Sequence, residues 1–169
     1  INGDKVKLKG VNRHEFSPVA GATVTIEDTV RDLELMKAAN VNAIRTCHYP
    51  DCPEFYDLCD AMGFYVMDEA DVETHGMAKQ CVALSREAWQ AFANSGIADK
   101  SVTDREITLY ERDKNRTCVV IWSLANESSY GKMFYDGADY IHAHDTRPVH
   151  YEGAWEMADK SDYYTRRID

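Results

Sequence analysis

A chain of 169 residues is long enough for one domain with a real core. Its formal net charge of -10 argues against a nucleic-acid partner, which calls for a basic stripe, and no apolar run approaches the length of a membrane span. Hydrophobic residues at 44% and charged residues at 28% describe an ordinary soluble globular protein.

The chain opens with Val6 to Glu15, which reads as a strand giving way to polar residues. Lys5, Lys7 and Lys9 alternate with Val6, Leu8 and Gly10, so the start of this strand is half exposed. Phe16 to Ile26 is a loop marked by Pro18 and Gly21. Thr25-Ile-Glu-Asp-Thr29 then introduces an amphipathic helix, with Val30, Leu33, Leu35, Met36 and Ala39 at three- and four-residue steps. Asn40 closes it. Val41 to Thr46 is the second strand, stopped by Pro50 after His48 and Tyr49. Glu54 to Met62 is a short helix with Gly63 as its C-cap, and Phe64 to Glu69 is the third strand. Gly76 to Asp99 is the least regular part; its Trp89 and Phe92 call for packing somewhere.

Val102 to Asn115 is a charged helix with Val102, Ile107 and Leu109 facing inward. Val119, Val120, Ile121 and Trp122 form a β-branched run that reads as a strand buried on both faces. Tyr130 to His144 is a further helix, and Pro148 to Glu152 the last strand. A polar, tyrosine-rich tail follows Gly153. Strands and helices therefore alternate, which implies a parallel sheet with right-handed crossovers. Neither a GxGxxG nor a P-loop is present, so no motif supports a nucleotide-binding fold. The five cysteines, Cys47, Cys52, Cys59, Cys81 and Cys118, are odd in number and form no CxxC pair. With no secretory h-region in view, they read as reduced thiols in a cytoplasmic protein.

The informative regularity lies at the strand ends. Asn12, Arg13, His14 and Glu15 follow the first strand, and Arg45 and His48 the second. Asp68, Glu69, Glu73 and His75 follow the third, Asn126 and Glu127 the fourth, and His150, Tyr151 and Glu152 the last. A parallel barrel brings all such ends to one face, where its catalytic groups sit. The fold class is therefore α/β of the (β/α)8 TIM-barrel type. Five strands make it partial, since a complete barrel takes roughly 250 residues. Residues 1–169 read as the N-terminal portion of a barrel domain.

Several of these residues have two readings. Glu73 and His75 are two apart, and in extended backbone they point the same way. That suits joint use on one cation, with carboxylate and imidazole favouring Mg²⁺ or Mn²⁺ over a structural zinc. The alternative is a solvated acidic loop. Asn126 and Glu127 serve equally well as a loop start or a helix cap. His14 gains meaning only by converging with His48. Arg45 is placed to pair with Glu69 or Asp68, Trp122 reads as core, and His142, His144 and His150 read as structural.

These segments resemble the catalytic barrel of glycoside hydrolase family 2, most closely its long bacterial β-galactosidases. The resemblance rests on Gly10-Val-Asn-Arg-His-Glu15, Asn42-Ala-Ile-Arg45, His48-Tyr-Pro50 and Tyr65-Val-Met-Asp-Glu-Ala70. It continues through Glu73-Thr-His-Gly-Met77, Arg112-Asp-Lys-Asn115, Ile121-Trp-Ser-Leu-Ala-Asn-Glu-Ser128 and Arg147-Pro-Val-His-Tyr-Glu-Gly153. The Trp-Ser-x-x-Asn-Glu segment indicates the family, and Glu73-Thr-His-Gly separates β-galactosidases from glucuronidases and mannosidases. The family often has Asn and His where Asp51 and Cys52 stand, glycine at Ala125, and His-Pro-Ser at Arg116-Thr-Cys118. The stretch from Lys79 to Lys100 is longer than in close relatives.

The resemblance implies a retaining β-galactosidase acting on β-galactosides such as lactose. Glu127 would be the acid/base, and Asn126 would bind the sugar 2-hydroxyl. His14 and His48 would line the sugar pocket, supported by Arg45 and Glu69. Glu73, His75 and Glu127 would hold Mg²⁺, with Mn²⁺ as the alternative ion; no monovalent-cation site is identifiable. A largely dry pocket would suit the acid/base. The family's nucleophile, a glutamate ending the seventh strand, has no match here, and Glu152 is not a substitute. The partners implied are a β-galactoside, the remainder of a longer chain and, through the uncovered barrel seam, a second copy by self-association; no nucleic acid and no membrane. The 169 residues alone are expected to be inactive. The rival readings are a non-catalytic carbohydrate-binding half-barrel and a metal-dependent hydrolase using His14, His48, Glu73 and His75. The hydrolase reading is weakened because Asn12-Arg13-His14 lacks a His-x-His.

Overall fold

The structure, a computed structural model, describes residues 1–76 and 86–154. Strands β1 (Gly10–Arg13), β2 (Ala43–Thr46), β3 (Tyr65–Glu69), β4 (Val119–Ser123) and β5 (Val149–His150) form one sheet in the order β1-β2-β3-β4-β5. Every neighbouring pair is parallel. Parallel neighbours need long connections, and these carry helices α1 (Ile26–Ala38), α2 (Pro53–Met62), α3 (Arg86–Ala93), α4 (Asp99–Asp113) and α5 (Tyr135–His144). The partial α/β barrel read from the sequence is the architecture found. No helix among the described residues is long and apolar enough to cross a membrane. Cys47, Cys52, Cys59 and Cys118 are free thiols.

Local chemistry accounts for the element ends. Thr25 caps α1 by accepting from the Asp28 N–H at 3.1 Å, and the Asp28 carboxylate accepts from the Thr25 N–H at 3.2 Å, a reciprocal capping box. Gly63 ends α2 at φ 70°, a conformation that costs glycine nothing. β1 is shorter than the predicted strand. The Asn42 side chain accepts from the Lys9 N–H at 2.6 Å and donates to the Lys7 carbonyl at 3.0 Å, taking those backbone groups from the ladder. The predicted helix from Tyr130 starts late: a 3₁₀ turn at Lys132–Phe134 precedes α5.

The core lies between the sheet and its helices. Leu33, Ile44, Phe55, Val66, Leu109, Trp122, Ile141 and Val149 all belong to one buried cluster. Each such side chain contributes about 1.5–3 kcal/mol on burial. Trp122 is core, as its apolar run predicts, with its Nε1–H donating to Asp145 at 3.1 Å. Two expectations fail. In α4, Val102 and Leu109 are buried but Ile107 is only half-buried, because Glu106, Tyr110 and Asp113 complete the inward face. In β4, Val120 and Ile121 are half-buried, so the run is covered on one face only. On the other face they line an open cavity of about 320 Å³ with Val11, Arg45 and Met67, and no described element packs over it.

Under the sheet's C-terminal end sits a charged layer. Arg13 reaches down to Asp51 at 2.6 Å and Asp32 at 3.2 Å. Burial pushes the Asp51 carboxyl up to about 7 from 3.8, although Arg13 pulls the other way. The folded state therefore keeps a proton that the unfolded chain releases, and stability from this group is lost as pH rises through about 7. Asp51→Asn should flatten the fall of thermal stability between pH 4 and 7 by about one group's contribution, checked by calorimetric melts across that range. A second test concerns Gly131. A Cβ there would lie 2.5 Å from the Ala93 carbonyl oxygen at the end of α3. Backbone cannot yield as a side chain can, so Gly131→Ala should cost about 1–3 kcal/mol in denaturant unfolding.

Candidate active site

The site begins at the end of β3, where successive side chains leave on opposite faces. Asp68 turns toward the helices, accepting from Tyr56 Oη at 2.6 Å and Thr46 Oγ1 at 3.3 Å. Glu69 turns the other way and is fully buried. It meets Arg45 in a two-pronged pair, Nε to Oε2 at 2.6 Å and Nη2 to Oε1 at 2.9 Å. It also takes the His48 Nδ1 at 2.7 Å and the Ser123 hydroxyl at 2.6 Å. Arg45 thus pairs with Glu69, not Asp68.

From this hub the contacts run outward. Arg45 Nη2 donates to Asn126 Oδ1 at 3.0 Å, and Asn126 Nδ2 donates to Glu73 Oε1 at 3.3 Å. His75 lies between two carboxylates, Nδ1 at 2.5 Å from Glu73 and Nε2 at 2.7 Å from Glu127. Donor atoms of Glu73, His75 and Glu127 all lie within 4.8 Å of one another. Two carboxylates and one imidazole suit a hard divalent cation, so the donor set fits such an ion. Burial works to raise the Glu73 pKa, but the hydrogen bonds it shares with His75 and Asn126 outweigh that and hold it below the usual value. On the other side of the hub, the His14 and His48 rings meet edge to face at 5.3 Å.

His14, Arg45, His48, Glu73, His75, Asn126 and Glu127 therefore converge past the ends of four strands. Other strand-end residues do not join them. Arg13 is buried in the layer below, and Glu15 accepts from the Cys52 N–H at 3.2 Å. Tyr151 is core, its hydroxyl accepting from the Ser128 N–H at 2.9 Å. The expected dry pocket is not built by the described residues, since the Glu127 side chain is 55% exposed. Sequence reasoning missed three neighbours of the site. Ser123 completes the shell of Glu69, and the Cys47 Sγ lies beside His14 and His48. Trp89 packs on His75 with ring centroids 5.5 Å apart, held by its Nε1–H on Thr74 at 2.7 Å. Ser123 stands opposite Glu69 in the parallel register between β3 and β4, a pairing that no local sequence signal shows.

Carboxylates and sugar-sized hydrogen-bonding groups gathered beyond consecutive parallel strands define the catalytic face of a barrel hydrolase. The chain belongs to glycoside hydrolase family 2: the family model for "Glycosyl hydrolases family 2, TIM barrel domain" matches residues 1–168. It is 46% identical over 157 residues to a β-galactosidase of Streptococcus thermophilus, covering 92% of this chain and 15% of that protein. It is 41% identical over 170 residues to a β-galactosidase of Staphylococcus xylosus, covering 100% of this chain and 17% of that protein. The chain thus spans less than a fifth of these relatives' length. Among solved structures, the Eisenbergiella tayi family 2 β-galacturonidase bound to galacturonate matches with a TM-score of 0.72 at 28% identity, over 89% of this chain and 26% of that one. A β-glucuronidase of Bifidobacterium dentium matches at 0.64 and 28%, over 84% of this chain and 23% of that one.

Removing the hub should be costly. Glu69→Ala leaves the Arg45 guanidinium half-buried without its partner, and a stability loss of about 3–5 kcal/mol is expected in urea unfolding. A loss below 1 kcal/mol would mean Arg45 finds another anion.

Proposed function

We propose that this chain is the part of a retaining β-galactosidase barrel that carries the acid/base, Glu127, and one side of the galactosyl site. The observation that carries the reading is the unbroken run of contacts from His48 through Glu69, Arg45, Asn126 and Glu73 to His75 and Glu127. Relatives at up to 46% identity are β-galactosidases, whereas the uronidase structures stand near 28%. That difference favours a galactoside over a uronide.

In this reading each residue has a separable task. Glu127 gives a proton to the departing oxygen, then takes one from the incoming water. Asn126, oriented by Arg45 and Glu73, presents its amide to the sugar 2-hydroxyl. His14 and His48 offer ring nitrogens to other hydroxyls, with His48 held by Glu69. The second carboxylate, about 5 to 5.5 Å from the first in a retaining enzyme, comes from the remainder of the full-length protein. Glu73 is committed to His75 and Asn126 and does not serve. Glu73, His75 and Glu127 would hold Mg²⁺, or Mn²⁺ in its place. Such an ion supplies positive charge beside the acid/base and holds its side chain in place.

The test uses the full-length protein. Glu127→Gln should lower kcat/KM for lactose by about 10² to 10⁴. The loss should be smaller for an aryl galactoside whose phenol is acidic, because such a leaving group needs little proton donation. Equal losses on both substrates would remove Glu127 from the acid role. Aryl β-glucuronide turned over faster than aryl β-galactoside would overturn the sugar assignment. Glu73→Gln should weaken Mg²⁺ binding by about tenfold or more, measured by equilibrium dialysis; unchanged affinity would remove Glu73 from the ion.

A further inference from the structure

We propose a second metal site, for a thiophilic divalent cation such as Zn²⁺, formed by His14, Cys47 and His48. One nitrogen of each histidine and the Cys47 Sγ lie within 4.8 Å of one another. Donors on one tetrahedral zinc sit roughly 3.3–3.8 Å apart, given bonds of about 2.0–2.3 Å. His14 is the exposed member of the set, so its ring has room to adjust to an ion. The three residues end two neighbouring strands: Arg13 pairs in register with Thr46, so the residues after them emerge side by side.

Two further features support a ligand set over a chance cluster. His48 Nδ1 lies 2.7 Å from the buried Glu69 carboxylate. A carboxylate only accepts, so Nδ1 is the donor in this contact, and in the neutral ring the other nitrogen is the one that could bind an ion. Carboxylate–histidine pairs of this kind are what orient imidazoles on metals. The donor set is also chemically distinct from Glu73, His75 and Glu127. One thiolate and two imidazoles favour zinc-like ions, whereas two carboxylates and one imidazole favour magnesium-like ones.

Cys47 is buried, 2% exposed, and burial raises its thiol pKa while the Arg45 charge partly offsets this. Glu69 and Asp51 also face it and act in the raising direction. The ion replaces the thiol proton, which leaves to solvent, and no oxidant or reductant is needed. Three protein ligands would leave a fourth position for water or another oxygen donor. If His14 and His48 line the sugar pocket as proposed above, a metal here and a galactosyl group exclude one another, and the ion acts as a competitive inhibitor. That last step rests on the proposed function; the metal site itself does not.

The test is titration of the EDTA-treated full-length protein with Co²⁺, reading the thiolate-to-cobalt charge-transfer absorbance. The expected result is a band saturating at one equivalent and displaced by Zn²⁺. It should vanish in Cys47→Ser, and in His14→Asn the affinity should fall about tenfold or more. In Glu73→Gln it should persist. No band in the wild type, a band surviving Cys47→Ser, or one indifferent to His14→Asn would overturn the site. Galactose is then added to the cobalt form. Bleaching of the band supports mutual exclusion, and an unchanged band at saturating galactose would overturn the inhibitory role. Absence of galactoside hydrolysis by the Mg²⁺-supplied protein before any cobalt is added, in a preparation that then gives the band, would strike the proposed function and leave the metal site standing.

Discussion

The arrangement depends on one buried carboxylate. Glu69 has no exposed surface, and a charge in that position needs partners on all sides. Arg45 supplies two hydrogen bonds, His48 one and Ser123 one, so strand β3 is tied to β2 and β4 at the height where the chemistry sits. Buried ion pairs bring little net stability, because desolvation offsets much of the attraction. What this one does is geometric. It aims the Arg45 guanidinium at Asn126 and sets the ring orientation of His48, and both sides of the site inherit their positions from it.

The alternation of β3 separates two polar layers. Asp68 joins Tyr56 and Thr46 below, close to the Arg13–Asp51 pair, while Glu69 organises the groups above. The lower layer locks α2 to the sheet. The upper layer is left half-open, with side-chain exposure of 37% at Glu73, 40% at His75 and 55% at Glu127. Glu73, His75 and Glu127, to which the proposed function gives proton transfer and ion binding, are the exposed groups, and Glu69, which orients Arg45 and His48, is buried.

Helix α3 ties the least regular segment to this plan. Gln90 Nε2 donates to the Tyr130 carbonyl, and Asn94 Oδ1 accepts from the Lys132 N–H at 3.2 Å. Gly131 runs so close to Ala93 that no side chain fits between them. The chain that leaves β4 through Asn126 and Glu127 is thus pinned from outside the sheet, and the same helix lays Trp89 against His75.

The sequence by itself determined the element order, the parallel α/β class and the strand ends that carry chemistry. Those features follow from periodicity and from short local signals such as Thr25, Gly63 and Pro50, which act over a few residues. It also singled out Glu73 with His75, because a two-residue step in extended backbone puts side chains on one side. The tertiary structure alone decided which polar residues meet. Arg45 finds Glu69 at a separation of 24 residues, Ser123 finds Glu69 at 54, and Asn126 finds Arg45 at 81. Register between strands and the packing of helices set those meetings. The same long-range packing sent Arg13 down to Asp51 while its neighbour His14 turned to His48, since adjacent residues on a strand part to opposite faces and only the fold assigns each face its neighbours.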